Sequence, residues 1–235
     1  MAKEIKAFWI QSSNVGDTLT PVIVEHFTGL KVIHAPETHE GKLIGIGSTM
    51  TAMREGDTVW GTGIMRETDL FPHVSTCNVL AVRGKLTEKT LGVNVGVYGD
   101  PALLLPLMYA PDCTKKHTMG IIPHYAEKGE LAFTALAENN FFIDVNKKWD
   151  EFIDDIVSCE EIISSSLHAI IIAEAYGVHA TWIKPTDKVA GNGFKFRDYL
   201  TGTGREEQGE GLFPPIPNIK EIQDGLINSL QCLKS

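Results

Sequence analysis

Short apolar runs alternate with amphipathic stretches along the whole chain. In the first half, runs at 5–10, 31–34, 42–46, 58–62 and 79–82 have the length and composition of strands. Stretches at 17–27, 48–54 and 85–91 carry the helical repeat. Asp17 stands where a helix N-cap is expected, and Gly29 and Gly92 stand where helices stop. The second half repeats the alternation, with strands at 118–123, 141–145, 161–164 and 180–184. Helices are expected there at 127–138, 150–158 and onward from His168. Strand–helix alternation of this kind predicts an α/β chain built on parallel sheets.

Prolines at 106 and 111, followed by charged residues, predict a boundary between the halves. The expected organisation is an N-terminal α/β domain over 1–112 and a C-terminal α/β domain over 113–200. The remaining 201–235 is expected to be a loop and a C-terminal helix. Residues 201–217 are rich in Gly, Glu and Pro and read as a loop rather than a core element. The amphipathic stretch 219–233 reads as a helix packing back on the first domain. Ligands of such sheets bind beyond the carboxyl ends of the strands, and the candidate residues fall there.

The most distinctive segment is 162–177. Two isoleucines lead into Ser164, Ser165 and Ser166, then Leu167 and His168, then a helix apolar on nearly every side. Hydroxyls, free backbone N–H groups and an imidazole thus meet at one helix N-terminus, which suits an anion.

Composition narrows the field. Hydrophobic content of 43% and charged content of 22% are those of a globular protein. A net charge of −9 argues against a nucleic-acid partner. No apolar run is long enough to span a bilayer, and the amino terminus leads into a strand-like run without a signal-peptide core, so a cytoplasmic protein is expected. Cys77, Cys113, Cys159 and Cys232 lack metal-ligand spacing, and neither a metal nor another cofactor is expected.

Other motifs admit two readings each. Asn14-Val15-Gly16-Asp17 follows the first strand, as a close-approach ligand loop or as a capped turn. The loops holding Gly47 and Gly63 resemble half of a dinucleotide fingerprint without its last glycine; they read as ligand loops or as turns chosen for packing. Arg83 ends a strand and is suited to phosphate or carboxylate, or to a structural ion pair. Asp100, before Pro101, reads as a general base, a hydroxyl anchor or a cap. His124 ends the first strand of the second half and can act as an acid, a base or an anion partner, or be a hydrogen-bonded loop residue. If 193–199 is extended, Lys195 and Arg197 share one side and can clamp an anion, or they form a solvated face.

In this order, Asn14-x-Gly16-Asp17, Val82-Arg83-Gly84, Gly99-Asp100-Pro101, Pro123-His124, Ser164 through Ala169 and Phe194 through Tyr199 resemble the polysaccharide pyruvyl transferases, closest to the exopolysaccharide type. The resemblance spans nearly the whole chain. It implies two Rossmann-like domains facing a cleft, as in the GT-B glycosyltransferases. It also implies transfer of a carboxyethylidene group from phosphoenolpyruvate to a sugar of a polysaccharide or its lipid-linked precursor, with release of phosphate. Any membrane contact would come through such an acceptor.

The resemblance carries the motif histidine over to His168 and the strand-end arginine to Arg83, with the 1–112 domain on the acceptor side and the 113–200 domain on the donor side. Together with the residue readings above, catalysis is expected from His168, His124 and Asp100, and donor binding from Arg83, Ser164, Ser165, Ser166, Leu167, Lys195 and Arg197. Asn14, Gly16, Asp17, Gly47 and Gly63 are assigned to the acceptor. Many relatives carry arginine before Leu-His where this chain has Ser166, so Arg83, Lys195 or Arg197 is expected to supply the missing charge. Two alternatives stay open: a nucleotide-sugar glycosyltransferase of the same fold, and a non-catalytic sugar- or nucleotide-binding module.

Overall fold

In the computed structural model, which describes residues 3–234, the strands form two five-stranded sheets. Met1, Ala2 and Ser235, which belong to the expected leader-free amino terminus and to the 1–112 and 201–235 segments, lie outside the described residues. The first half contains β1 (Glu4–Phe8), α1 (Val15–Thr28), β2 (Lys31–His34), β3 (Leu43–Ile44), β4 (Thr58–Trp60), β5 (Asn78–Ala81) and α2 (Lys85–Leu91). A 3-10 helix, Pro101–Leu107, follows. The second half contains β6 (His117–Ile122), α3 (Leu131–Ala137), β7 (Phe141–Phe142), α4 (Trp149–Val157) and β8 (Cys159–Ser164). After these come α5 (Leu167–Ala175), β9 (His179–Trp182), α6 (Phe194–Gly202), β10 (Gly211–Leu212) and α7 (Ile219–Leu230).

The two sheets share one topology. The first runs β2-β1-β3-β4-β5 with every pair parallel. The second runs β7-β6-β8-β9-β10, parallel except for the antiparallel edge pair β9–β10. In both, the chain reverses its direction of travel beside the half's first strand, and that switch point is where doubly wound sheets open a ligand crevice. The switch points lie between β1 and β3 and between β6 and β8.

One continuous apolar core joins the halves. Leu19 and Ile23 of α1, Leu103 to Leu105 of the 3-10 helix, Phe152 of α4 and Ile170 to Ile172 of α5 are all fully buried in it. The apolar circumference of α5 follows from its position, walled by β8, β9, α4 and the 3-10 helix. α7 returns to the first half as expected: the Trp60 indole N–H donates to the Leu226 carbonyl at 3.1 Å, and the Gln223 amide to the Leu103 carbonyl at 2.8 Å.

Four local expectations are corrected. Asn14, not Asp17, caps α1, its side chain accepting from the Gly16 N–H; Asp17 sits in the first turn and takes the Ser12 hydroxyl at 2.8 Å. The helix expected at 48–54 shrinks to a 3-10 turn, Met50–Ala52, because Thr49 spends its N–H and its hydroxyl on the Thr62 hydroxyl. Residues 193–199 are not extended but begin α6. Finally, 201–217 is partly core: Gly211–Leu212 adds a strand to β9, and Arg205 is buried, paired with Glu174 and stacked over Tyr199 and Phe213.

Candidate functional site

The loops after β1, β3, β6 and β8 bring residues of the two switch points together around His168. Its imidazole, nine-tenths buried, lies against Gly16, where a methyl group would overlap the ring; one added at Gly47 would sit 4.0 Å from Cε1. Gly16 therefore has no side chain because the imidazole occupies that space. A direct bond ties the halves beside it: the Val15 N–H donates to the Val145 carbonyl at 2.8 Å.

Opposite the ring stands Asp100, fully buried. Its Oδ1 accepts from the Ala102 N–H at 2.9 Å and so caps the 3-10 helix. Its Oδ2 lies 3.7 Å from His168 Nε2. Among the described residues neither of these two atoms has a hydrogen-bond partner. A buried polar atom without a partner is rare, and two facing each other mark a place where a proton or a ligand completes the set. The cap reading and the base reading of Asp100 thus both describe it, one through each oxygen.

The three serines divide their work. Ser164 Oγ donates to the Ile122 carbonyl at 2.7 Å and accepts from the Ser166 N–H at 2.9 Å, lacing β6 to the turn. Ser165 Oγ accepts from the His124 N–H at 2.9 Å. Ser166 occupies the N-cap position of α5 but makes no side-chain cap bond. The first intrahelical bond of α5 is donated by Ile170, so the N–H groups of Leu167, His168 and Ala169 are uncommitted among the described residues.

The three candidate cations fare differently. Arg83 is fully buried, and three of its N–H groups are spoken for, by Asp198 Oδ2 at 2.9 Å, Ser48 Oγ at 2.8 Å and the Ile64 carbonyl at 2.8 Å. Asp198 also accepts from the N–H and the hydroxyl of Thr87, which fastens α6 to the first half. A methyl group at Gly63 would overlap the Arg83 guanidinium, so that loop is shaped by packing within the chain. Arg197 approaches Glu207 and donates to the Asn192 carbonyl. Because α6 is a helix, Arg197 and Lys195 lie on different sides of it, and the clamp expected from an extended segment does not form. Lys195 turns inward. It is 7% exposed, lies 5.5 Å from the Phe196 ring, and makes no hydrogen bond or ion pair among the described residues. Burial, with Arg83 nearby, brings its ammonium down to about 8.

His124 faces the same space. Its Nδ1 accepts from the Ala126 N–H at 3.3 Å, which leaves Nε2 as the protonated ring nitrogen. Burial, then the Lys195 charge, push it down to about 4, so it is neutral at neutral pH. Two residues were missed in the sequence. Glu127, read there only as a helix start, is fully buried, with Oε1 bound by the Thr186 hydroxyl and Oε2 unpartnered among the described residues. Asp198 was quoted only within a motif, and its pairing with Arg83 spans a separation no local pattern reveals.

A cavity of about 510 Å³ lies elsewhere, between Gly96–Tyr98, the end of α6 and the start of α7. It holds none of the site residues above. The convergence of unpartnered groups, rather than cavity size, locates the site, which is nearly closed in this structure.

The family model for polysaccharide pyruvyl transferases matches residues 59–187, more than half of the chain and inclusive of Arg83, Asp100, His124 and His168. The chain is also 27% identical over 216 residues to an uncharacterized protein of Acanthamoeba polyphaga mimivirus, an alignment covering 85% of this chain and 74% of that one. The protein belongs to the polysaccharide pyruvyl transferase family.

Proposed function

We propose that the protein transfers a pyruvate ketal from phosphoenolpyruvate to two hydroxyls of a sugar, in a polysaccharide or its precursor, with a GT-B-like division into acceptor and donor halves. The observation that carries this reading is the facing Asp100–His168 pair beside the uncommitted N–H groups of α5, with the His124 imidazole coupled electrostatically to both His168 and Lys195. Phosphoenolpyruvate brings a phosphate and a carboxylate, and this place offers a buried cation and a helix N-terminus. Of the three cations expected to replace the arginine absent at Ser166, Lys195 is the one without a hydrogen-bond or ion-pair partner among the described residues.

In the reaction, protonated His168 delivers its proton to C3 of the enol, and one sugar hydroxyl adds to C2. The C2–O bond to phosphate breaks, and the second hydroxyl adds to close the ketal. One hydroxyl proton replaces the proton given up by His168, and the other leaves with inorganic phosphate. Asp100 accepts from the imidazole and fixes its orientation; the 3.7 Å gap is of the kind that tightens on substrate binding. Neutral His124 offers an N–H from Nε2 rather than a proton. No helix among the described residues is long and apolar enough to cross a membrane.

The test is phosphate release from phosphoenolpyruvate across a panel of acceptor sugars, with the ketal product detected by mass. Acceptor-dependent release in equal amounts with the ketal supports the reading. Stabilisation by a nucleotide sugar, with none by phosphoenolpyruvate, would replace it with a glycosyltransferase of the same fold.

A further inference from the structure

Four of the five tyrosines commit the hydroxyl to an acceptor within the chain: Tyr98 to Glu88, Tyr109 to Asp154, Tyr176 to the Tyr109 carbonyl and Tyr199 to Glu174. The Tyr125 hydroxyl has no hydrogen-bond partner among the described residues. Tyr125 is 57% exposed, the most exposed phenylalanine, tyrosine or tryptophan among them. Single exposed apolar residues are ordinary on a protein surface, so exposure by itself assigns nothing. The surroundings of the ring do. It packs on the His124 imidazole, with centroids 4.3 Å apart and planes tilted by 35°. The turn that carries it is fixed. The Ala126 N–H donates to His124 Nδ1 at 3.3 Å, the Glu127 N–H donates to the His124 carbonyl at 2.8 Å, and the buried Glu127 carboxylate takes the Thr186 hydroxyl. An aromatic ring held on such a turn loses little further freedom when a ligand covers it.

Direct bonds also place this turn between the two parts of the site. On one side the His124 N–H donates to Ser165 Oγ at 2.9 Å, next to the N-terminus of α5. On the other, Lys128, which follows the turn, pairs with Asp144. The carbonyl of the next residue, Val145, accepts from the Val15 N–H, inside the Asn14–Asp17 loop assigned to the acceptor. Tyr125 thus stands on the seam where the serine turn and the acceptor loop approach each other.

We infer that Tyr125 is the platform on which the acceptor's sugar ring stacks, apolar C–H face against aromatic face, with the phenol hydroxyl free for a hydroxyl of the sugar. A pyranose has apolar faces and a polar rim, and a tyrosine, apolar in its body and polar at its tip, matches both. The inference deepens the proposed function and rests on its sugar acceptor. It places part of acceptor recognition on the second half of the chain.

The experiment reads sugar binding without phosphoenolpyruvate. The ring resonances of isotope-labelled tyrosine, with Tyr125 assigned by Tyr125→Phe, are followed as the methyl glycosides of glucose, galactose and mannose are added. At least one glycoside is expected to shift Tyr125 more than it shifts Tyr98, Tyr109, Tyr176 or Tyr199. For that glycoside, Tyr125→Leu should raise the dissociation constant about tenfold and Tyr125→Phe by much less, as for loss of one aromatic contact. If no glycoside shifts Tyr125, or if Tyr125→Leu binds as tightly as the wild type, the inference is overturned. The wild-type shifts decide alone if Tyr125→Leu fails to fold. Kinetics test the transferase reading separately: Tyr125→Leu should raise the acceptor KM about tenfold and leave the phosphoenolpyruvate KM nearly unchanged. Sugar bound at Tyr125 with no transfer supports the inference and counts against the transferase reading. Transfer with an unchanged acceptor KM in Tyr125→Leu overturns the inference and leaves that reading standing.

Discussion

Asp100 Oδ2 stands 3.7 Å from His168 Nε2, and among the described residues neither atom has a hydrogen-bond partner. The other carboxylate oxygen of Asp100 is fixed by its cap bond to Ala102, so the carboxylate cannot swing away from the ring without uncapping the 3-10 helix. Asp100→Asn keeps an oxygen for the cap and removes the charge. Turnover is expected to fall by about a hundredfold or more, while phosphoenolpyruvate affinity changes only a few-fold. Steady-state kinetics beside direct binding would check this, and undiminished turnover would remove Asp100 from the proton path.

The fit of Gly16 against the same ring gives a second prediction. Gly16→Ala forces the imidazole out of its position and should cost on the order of 1–3 kcal/mol of stability together with most of the activity. His168→Ala empties that space, so Gly16→Ala should cost much less in its presence. Denaturation of the four proteins of this double-mutant cycle should return a coupling energy of at least about 0.5 kcal/mol. Additive costs would mean that the ring yields freely.

Much of this was legible from local pattern, because strands and capped helices declare themselves within a few residues. β2 and α2 fall where the apolar periodicity puts them, and Ser164 to His168 form the strand–turn–helix read from three hydroxyls before an apolar helix. What the pattern hid depends on distant partners. Phe194-Lys195-Phe196-Arg197 alternates like a strand, yet it coils because Asp198 must reach Arg83 and Thr87 from a helix docked on α2. Glu127 looked like a helix start because nothing near it in sequence reveals Thr186 or the interior it faces. Arg205 lay in a segment of loop composition whose order comes from Glu174, far back along the chain.

His124 should leave a mark on stability in acid. Its imidazole is lowered from the usual 6.5 to about 4, chiefly by burial. The unfolded chain therefore takes up a proton that the folded chain refuses as pH falls between those values. The contribution of His124 is fully present above about 6.5 and is lost on the way to about 4. Allowing for its partial exposure, the loss is on the order of 2 kcal/mol. His124→Gln should flatten the melting temperature across this window relative to the wild type, and parallel curves would contradict the assignment.

Arg83 and Lys195 should separate when both are mutated, because one cation is committed and the other is not. Arg83 and Asp198 are fully buried and pinned to each other, so Arg83→Met strands a carboxylate and should cost about 3–5 kcal/mol of stability. Lys195 is lowered from 10.5 to about 8, so the folded chain binds its proton more weakly than the unfolded chain does. Its contribution is fully present only above about 10.5 and is lost as pH falls through 8, which makes the charged form a burden at neutral pH. Lys195→Met should therefore leave the melting temperature at pH 7 unchanged or raised, yet weaken phosphoenolpyruvate binding at least about tenfold. Paired thermal melts and binding isotherms would check both. A Lys195→Met protein that melts well below the wild type would show that the lysine supports the fold, and one that binds the donor as tightly as the wild type would return the phosphate contact to Arg83.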